Sequence, residues 1–394
     1  MRTNRLVRFA AVIACVLIRT PTASAQTVSD ILLFLLTNDS VPTGSQARDR
    51  AAAQATSDTI SRALLASLAT LPVPTSSGGF VYRLNPELGT VERRTAGFGP
   101  SFVERAQSVG QGQASFGITF QHLRFDSLDG RNLRDGSFVT TANEFPDEAA
   151  PFDVDQLTLA VDASIATLYG GIGVTDRLEV GFAAPLVLLQ VNGERLNTYR
   201  GRAFTQAAAS ARAVGLADLV ARAKYAVYDD GGAAVAAAVD VRLPTGRKED
   251  LLGAGSASML LSGIGSFGRG PVTGHVDLGV SMGGLARELR YSGALEVAAA
   301  PRFTVLGEVL GRWIDMSGHI VPESIANQSL RGVTTVRLVP DTSNLRTLTA
   351  VPGVKWNVSD TWVLAANVAV PLTSSGLTAF VTPFVGLDYA WSPR

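Results

Sequence analysis

Three histidines, His122, His275 and His319, are the side chains best suited in this sequence to hold a metal ion or to transfer protons near neutral pH. They lie on separate predicted elements, and neither an H-E-x-x-H pattern nor a cysteine pair accompanies them. Hydrolysis at a surface serine would need a serine beside a histidine and a third group that orients it. His122 is in phase with an apolar face and has no evident partner serine, so the histidines predict neither a catalytic residue nor a metal site.

A glycine motif, Gly263 to Gly268 (GIGSFG), matches the G-x-G-x-x-G spacing of dinucleotide-binding loops. Such a loop requires a strand before the motif and a helix after it, because the helix N-terminus holds the pyrophosphate. Here Arg269-Gly270-Pro271 follows, and then a further strand pattern. We therefore interpret these glycines as strand residues, and the sequence predicts no cofactor.

Charged residues form a third candidate group, because they recur at alternate positions of strand-like segments, opposite the apolar side chains. Two interpretations stay open: the charges pair across a narrow barrel interior as bracing, or they line a selective pore. Leu306 and Leu310 fall on the same face and could form an apolar patch for a substrate. The lumen-lining candidates are Asp162, Glu179, Asp218, Arg222, Lys224, Asp240, Arg242, Asp277, Glu296, Glu308, Arg312, Lys355 and Asp388.

The elements that would position these side chains are strands, because hydrophobicity alternates with a period of two from Gln113 onward. Phe116, Ile118 and Phe120 alternate with polar or small residues, and similar segments recur to a total of twelve. An even number of strands, joined alternately by tight turns and longer connectors, is typical of an outer-membrane β-barrel. The long connectors are predicted at about 127–154, 193–215, 244–256 and 315–344.

The composition also favours a membrane barrel. The chain is 46% hydrophobic and only 17% charged, with 39 glycines, yet beyond its first residues it has no apolar run long enough for a transmembrane helix. A soluble β-sandwich also alternates, but its polar face would be charged, whereas this one is rich in Ala, Gly, Ser and Thr. Without the four arginines of its N-terminus, the chain has 30 basic against 34 acidic residues, which excludes the basic surface of a nucleic-acid binder.

Aromatic residues cluster near the predicted tight-turn end of the strands, as in the interfacial girdle of membrane barrels. The last strand runs almost to the C-terminus with alternating apolar and aromatic residues, a pattern typical of the terminal strand that the barrel-assembly machinery recognises. We therefore expect outer-membrane lipid and this machinery as partners. The girdle candidates are Tyr225, Phe303, Trp356, Trp362, Tyr389 and Trp391.

The N-terminus has the form of an export signal. Arginines precede the apolar run Phe9 to Ile18, and Ala23-Ser24-Ala25 forms a small-residue cleavage site. Cys15, the only cysteine, lies in this run, so the mature chain would have neither a disulfide nor a cysteine nucleophile. Residues 1–25 are thus predicted to be a signal peptide, cleaved after Ala25, that directs the chain to the outer membrane of a Gram-negative-type bacterium.

Residues 26–112 differ from the rest of the mature chain, because their apolar residues have helical spacing. Ile31 to Leu36 is a short apolar block, and Arg48 to Leu71 predicts a longer helix that ends at Pro72 and Pro74. A linker rich in Gly, Pro and Arg leads from there to the first strand. Because the apolar block needs burial, we expect this extension to be either a plug in the lumen or a periplasmic cap or arm.

Five segments of the strand region form a recognisable set. They are Phe116 to Gly130 (FGITFQHLRFDSLDG), Tyr169 to Pro185 (YGGIGVTDRLEVGFAAP), Gly215 to Lys224 (GLADLVARAK), Arg242 to Gly246 (RLPTG) and Val370 to Trp391 (VPLTSSGLTAFVTPFVGLDYAW). In this order they resemble the outer-membrane family named for the meta-pathway of phenol degradation. The resemblance covers roughly 100–391 and implies a transporter-like barrel for hydrophobic or aromatic compounds, with no catalytic residues.

These features predict an all-β protein. An antiparallel transmembrane β-barrel of about twelve strands occupies 113–391, after a helical and linker extension at 26–112 and the signal peptide at 1–25. The predicted function is that of a channel or transporter, without enzymatic activity, for passive uptake of small hydrophobic or aromatic compounds. The alternatives are a structural or adhesive barrel that binds partners through its long loops, and a lipid-facing hydrolase.

Overall fold

The computed structural model describes most of the chain beyond the predicted signal peptide, which lies outside the described residues. The described residues are 26–37, 41, 43–68, 74–75, 82–85, 90–93 and 95–391. In this part of the chain, the N-terminal extension contains two helices and a short hairpin. These elements are α1 (Val28–Leu36), α2 (Gln46–Leu68), β1 (Tyr82–Asn85) and β2 (Thr90–Arg93).

The remaining strands form one sheet that closes into a barrel of twelve antiparallel strands, which confirms the predicted fold class. The sheet strands are β3 (Ala114–Leu128), β4 (Arg131–Asn132), β5 (Phe138–Glu144), β6 (Asp153–Gly173), β7 (Leu178–Tyr199), β8 (Arg202–Leu216), β9 (Leu219–Asp229), β10 (Ala233–Leu243), β11 (Ser258–Arg269), β12 (Val272–Gly283), β13 (Glu288–Ala300), β14 (Phe303–Ala326), β15 (Thr334–Ser359), β16 (Trp362–Pro371), β17 (Leu377–Ala379) and β18 (Thr382–Trp391). The barrel wall consists of β3, β6, β7, β9 to β16 and β18, and β3 closes it by pairing with β18 and β6. Closure leaves no row of backbone N–H and C=O groups facing hydrocarbon.

The two ends of the barrel differ. At one end, which we name the turn end, tight turns join β6 to β7, β9 to β10, β11 to β12, β13 to β14 and β15 to β16. Ala114 and Trp391, the first and last residues of the wall, lie opposite each other at this end. The opposite end, which we name the loop end, holds the longer connectors and the short strands β4, β5 and β17.

Apolar side chains cover the outer face of the wall. Phe116, Leu168, Phe182 and Leu278 are all about half exposed, and their neighbours along each strand point inward and are less exposed. A contiguous apolar surface of this kind is unstable in water and is typical of the hydrocarbon-facing belt of membrane barrels. The outer face therefore fits a lipid environment.

The aromatic girdle candidates lie on this outer face, toward the turn end. Tyr225 and Phe303 are exposed, and Trp356, Trp362 and Trp391 are each more than 40% exposed. Trp362 also packs against Tyr389, with ring centroids 4.8 Å apart. Amphipathic rings at one level of a barrel suit the headgroup region of a bilayer.

Parts of three connectors that the sequence analysis predicts as loops are strands. The predicted connector 193–215 is the end of β7 and most of β8, which pair with each other, and 315–344 largely continues β14 and β15. The predicted connector 127–154 contains β4 and β5. These predictions were wrong because the segments lie beyond the apolar belt, where the outer face meets water and the period-two pattern weakens. With 24 and 26 residues, β14 and β15 far exceed the ~10 residues needed to cross a bilayer.

Asp162 corrects the phase predicted for β6. Leu159 and Val161 face inward and are fully buried, whereas Asp162 lies on the outward phase and pairs with Arg134 at 2.7 Å. The prediction that Asp162 lines the lumen was therefore wrong. It assumed that the apolar face of a strand always faces lipid, and this fails at the loop end, where apolar helices fill the lumen.

The two helices lie inside the loop-end half of the barrel. A capping box starts α1, in which the Thr27 hydroxyl accepts from the Asp30 N–H and the Asp30 carboxylate accepts from the Thr27 N–H, both at 3.2 Å. Leu35 of α1 packs against Gly193 of β7, and the Thr56 hydroxyl of α2 donates to the Leu338 carbonyl at 3.2 Å. Within the described residues, neither helix is long and apolar enough to cross a membrane.

Candidate functional site

The lumen is the candidate functional site, because all of the predicted lumen residues except Asp162 lie on its inner face. Lys224 and Glu179, on neighbouring strands near the turn end, approach to 3.3 Å, and Arg222 forms two 2.6 Å hydrogen bonds with Asp240. These contacts join the charges into a network.

Asp218 has a different role at the loop end of the wall. Its carboxylate accepts from the Gly246 N–H at 3.0 Å and from the Ala254 N–H at 2.8 Å. Both residues belong to the connector between β10 and β11. Asp218 therefore fixes a loop, as a bracing interpretation of the charges expects.

Residues 97–112, which we name the inner segment, cross the lumen near the turn end. A buried backbone N–H group needs an acceptor, and the inner segment obtains many of its acceptors from side chains of the barrel. Its backbone is thus bound to the wall without forming a strand or a helix over 97–110. The contacts are Phe98 N to Thr304 Oγ1 (3.3 Å), Gly99 N to Glu296 Oε2 (2.6 Å), Glu104 N to Asp277 Oδ2 (2.7 Å), Ala106 N to Ser266 Oγ (2.9 Å), Val109 N to Glu179 Oε2 (3.2 Å) and Gln111 N to Asp176 Oδ1 (3.2 Å).

Glu308 binds the inner segment most extensively. Its carboxylate accepts from the backbone N–H groups of Ser101, Phe102 and Val103, each at 2.8 Å. Consecutive N–H groups that converge on one anion form a strong charge-assisted cluster in a low-dielectric interior. Glu308 is 2% exposed, so no bulk solvent competes for these bonds.

Cations of the wall bind the inner segment from other sides. Glu104 of the segment receives hydrogen bonds from both Arg222 and Lys224. The Lys224 ammonium also donates to the Arg105 carbonyl at 3.1 Å, and the Lys355 ammonium donates to the Pro100 carbonyl at 2.8 Å. The segment is therefore held through its backbone and one of its own carboxylates.

Glu104 and Arg105 complete this network from the extension, and neither was predicted as a lumen residue from the sequence. Arg105 is 1% exposed and its guanidinium donates to the Phe98 carbonyl at 3.4 Å. Periodicity cannot reveal such residues, because the inner segment has no regular structure. The only available signal was an adjacent acid and base in a linker otherwise rich in small residues.

Apolar contacts dominate the loop-end half of the lumen. Leu32, Leu35, Ile60 and Leu64 of the helices are no more than 1% exposed and belong to one buried cluster with inward-facing residues of the wall. Those wall residues come mainly from β3, β6 and β7, and they include Leu123, Phe125, Leu157, Leu159, Val161, Ile165, Val187, Leu189 and Val191. The extension therefore occupies both halves of the lumen.

A cavity of about 160 Å³, which we name the apolar cavity, lies between these two fillings. Phe102 of the inner segment borders it on the side of the turn end, and Ser67 of α2 borders it on the side of the loop end. Its wall combines apolar side chains with threonine hydroxyls. The lining includes Leu123, Phe125, Leu310, Val351, Leu377 and Phe384, with Thr347, Thr349, Thr373, Thr378 and Thr382.

A second cavity of about 100 Å³, which we name the charged cavity, lies on the other side of Phe102, Leu310 and Arg312. Its lining includes Glu104, Arg222, Asp240, Asp277 and Arg290. Leu306 and Leu310 both face the lumen, as their phase predicts, and Leu310 separates the two cavities.

Each of the three histidines, for which the sequence predicts neither a catalytic nor a metal-binding role, contacts a serine. His122 Nδ1 lies 3.0 Å from Ser164 Oγ on the outer face, which corrects the prediction that His122 lacks a partner serine. The serine was missed because it lies far away in sequence, on β6, and only strand register brings it opposite His122. No cluster of three metal-ligating side chains occurs in the described part of the chain.

The fold is similar to solved outer-membrane barrels. One is an outer membrane channel from Pseudomonas putida F1, with a TM-score of 0.46 and 13% identity over 73% of this chain and 98% of that chain. The KdgM porin, solved in complex with disordered oligogalacturonate, gives 0.35 and 6% over 70% and 99%, and the NanC porin gives 0.35 and 6% over 68% and 98%. No protein-family model matches the sequence, and no curated protein matches it. What this chain does must therefore follow from its own residues.

Proposed function

We propose that this chain is a gated outer-membrane channel for passive uptake of small hydrophobic or aromatic compounds. The observation that carries the proposal is the apolar cavity, which lies in mid-lumen. The same N-terminal extension borders it on the turn-end side and on the loop-end side. The loop end faces the outside of the cell and the turn end faces the periplasm, because tight turns and both barrel termini are periplasmic in such barrels.

The lining of the apolar cavity supports an aromatic or otherwise apolar solute. Ligand sites are mainly apolar, with a few polar groups that fix orientation. Phe125, Phe384 and Leu310 supply the apolar contacts, and threonine hydroxyls supply hydrogen bonds for a substituent such as a phenolic hydroxyl. The segment resemblance to the family named for phenol degradation points to the same class of solute.

Passage through the barrel requires movement of the inner segment. Every described contact that holds residues 98–111 to the wall is a hydrogen bond, an ion pair or a short apolar contact, and no covalent bond crosses the interface. Water can replace these polar contacts when the segment leaves, so the net energy of each is about 0.5–1.5 kcal/mol for a neutral hydrogen bond and about 1.5–3 kcal/mol where one partner is charged. The inner segment is therefore the gate of the proposed channel.

A reversible disulfide tests the gate. Ala106 and Ser266 lie in direct contact, with Ala106 N 2.9 Å from Ser266 Oγ, and the only natural cysteine, Cys15, lies in the predicted signal peptide. In the variant Ala106→Cys/Ser266→Cys, we expect opening events in planar bilayers under reducing conditions and none after oxidation. The matched control is Ala238→Cys/Ser262→Cys, which joins two directly opposed wall residues and should conduct equally in both states.

Solute specificity is tested separately by uptake into intact cells. Cells that express the reduced double-cysteine protein should take up a labelled phenol faster than a sugar of similar size. Equal conductance before and after oxidation would refute the gate, and equal uptake of phenol and sugar would refute the solute class.

A structural or adhesive barrel is the second candidate, because the described residues fill the lumen at both ends. The strands beyond the apolar belt, above all β14 and β15, would then present a binding surface at the loop end. This candidate predicts no conductance even when the inner segment is unlocked. The same bilayer recording therefore separates the two candidates.

A further inference from the structure

Three residues from distant parts of the chain meet at the loop end of the barrel. His319 of β14 places Nδ1 2.6 Å from Oδ1 of Asp129 and Nε2 3.2 Å from Oγ of Ser375. Asp129 follows β3, and Ser375 lies in the connector between β16 and β17. An acid on Nδ1 and a serine on Nε2 is the arrangement with which serine hydrolases activate their nucleophile.

Asp129 is fixed by the backbone around it. Its Oδ2 accepts from the Ile320 N–H at 2.9 Å, and its Oδ1 accepts from the Gly376 N–H at 2.8 Å. These bonds join Asp129 to the residue after the histidine and to the residue after the serine. The carboxylate then keeps the proton on Nδ1, because it accepts that N–H, and the Nε2 lone pair is left facing Ser375.

The other two Ser–His contacts in the described part of the chain lack this arrangement. His122 and Ser164 meet through Nδ1, at 3.0 Å, with no acid at hydrogen-bond distance among the described residues. His275 bonds Ser266 through Nδ1 at 2.8 Å and Glu296 through Nε2 at 3.3 Å, but its side chain is fully buried beneath the inner segment. Of these three contacts, only the one at the loop end has the acid on Nδ1, the serine on Nε2 and side chains that solvent reaches. The side chains of His319 and Asp129 are 18% and 15% exposed.

We propose that Asp129, His319 and Ser375 form a hydrolytic site for carboxylic esters with an apolar acyl chain. Ser375 Oγ attacks the ester carbonyl as its proton passes to His319 Nε2. The C–O bond to the alcohol breaks, and Nε2 returns the proton to the leaving oxygen. Water then attacks the acyl-serine through the same base, which releases the carboxylic acid and restores the Ser375 hydroxyl.

The apolar acyl chain is inferred from the connector that carries Ser375. Leu372 of this connector is 56% exposed, and Phe380, just after β17, is 80% exposed. Exposed apolar side chains on the chain segment that carries a nucleophile suit an apolar substrate chain. The ester could come from a lipid of the outer leaflet or from a free hydrophobic ester, which share this chemistry.

Covalent labelling is the direct test. Purified full-length protein in detergent is treated with a fluorophosphonate probe, and the labelled residue is identified by mass spectrometry. We expect label on Ser375, and its loss in Ser375→Ala and in His319→Gln. The control variant Ser164→Ala should keep the label, since it removes the serine bound to His122 on the outer face. No labelling of Ser375 in the folded wild-type protein would overturn the proposal.

Kinetics assign the positioning role of Asp129. With p-nitrophenyl decanoate, Ser375→Ala should lower kcat/KM at least ~100-fold, and Asp129→Asn should lower kcat by roughly the same factor while KM changes little. Asp341, opposite His319 on β15, and Arg346, whose N–H reaches Ser375 Oγ at 3.4 Å, are the other charged residues beside this site.

Two substrate arms distinguish the source of the ester. Faster cleavage of phosphatidylcholine in mixed micelles than of p-nitrophenyl decanoate would assign a lipid substrate, and the reverse would assign a free ester. A wild-type rate equal to that of Ser375→Ala in both arms would refute the site. Near-ultraviolet circular dichroism of each variant shows that the barrel remains folded.

Discussion

The two halves of the lumen are filled by the same extension but by opposite physical means. At the loop end, α1 and α2 bury leucines such as Leu32 and Leu64 in one cluster with inward-facing residues of the wall. At the turn end, the inner segment has no helix, and carboxylates such as Glu308 and Glu296 accept its backbone N–H groups. One filling is an apolar core, and the other is a set of polar contacts.

This difference predicts which half can open. Burial of a leucine contributes about 1.5–3 kcal/mol, and water cannot replace that contact. A hydrogen bond contributes about 0.5–1.5 kcal/mol net, or about 1.5–3 kcal/mol when one partner is charged, because water takes over the exposed partners. Because water can take over the partners of the turn-end contacts but not those of the buried leucines, we expect the turn-end filling to leave the lumen more readily than the helices leave the loop end.

The largest expected effect comes from the apolar half. Leu64→Ala removes a fully buried side chain from the core of α2 and should weaken helix docking by about 2–5 kcal/mol, through lost burial and the remaining cavity. Hydrogen exchange of α1 and α2 measures this loss. Phe34→Ala is the matched control, because Phe34 is 51% exposed and its removal should leave exchange unchanged. If Leu64→Ala accelerated exchange of the inner segment as much as that of α2, the two halves would not be separate units.

Glu308→Gln is the second prediction and acts on the polar half. A neutral amide binds three N–H groups less strongly than a carboxylate, so we expect a loss of about 1–3 kcal/mol in the closed state. Opening events in planar bilayers should become roughly 5- to 150-fold more frequent. Exchange of α2 should not change. Glu323→Gln is the control, because Glu323 is 45% exposed and pairs with Arg337 away from the inner segment; an equal rise in that variant would contradict the role of Glu308.

The strand pattern was predictable because a barrel wall imposes it. Where one face meets hydrocarbon and the other meets charges, as for Tyr225 and Lys224 on β9, alternation fixes both the strand and its phase. The same rule placed Asp162 on the wrong face of β6. Leu159 and Val161 face the apolar filling of the lumen, so the apolar face of the strand points inward there, and the alternation in the strand does not show which face is which. Beyond the belt, β8 was missed because neither of its faces needs to be apolar.

The contacts of the lumen could not be predicted from sequence. The inner segment binds through backbone N–H groups, which every residue carries, so Ser101 and Val103 have no distinguishing side chain. Likewise, Asp129 and Ser375 meet His319 only because β3, β14 and the connector after β16 converge at the loop end. Contacts of this kind depend on register and closure, which a single sequence does not specify.

Asn367→Ala tests a weaker polar contact, as the third prediction. The Asn367 amide donates to the Ser101 hydroxyl at 3.1 Å, a neutral hydrogen bond to a side chain of the inner segment. Its loss should cost about 0.5–1.5 kcal/mol, less than Glu308→Gln, because no charge is involved. The exchange rate of the Ser101 and Phe102 N–H groups measures the difference. An effect larger than that of Glu308→Gln would mean that the carboxylate does not dominate the polar half.

The smallest expected effect comes from Asp230, which uses the same chemistry in water. In the turn between β9 and β10, its Oδ1 accepts from the Gly232 and Ala233 N–H groups at 2.9 and 2.7 Å. The N–H of Ala233, the hydroxyl of Tyr228 and the N–H of Gly232 hold the pKa of Asp230 at about 2. A carboxyl whose pKa is lowered by folding stabilises the fold above its unfolded pKa, and this contribution is lost as the pH falls through about 2.

Asp230→Asn should therefore lower Tm slightly near neutral pH, and calorimetry should show the difference shrinking toward zero as the pH approaches about 2. Because solvent competes for these N–H groups, the loss of stability in Asp230→Asn should be smaller than the free-energy cost of Asn367→Ala. If Asp230→Asn lost as much free energy as Glu308→Gln, burial would not strengthen the binding of N–H groups by a carboxylate. The expected difference between exposed and lumenal contacts would then be wrong.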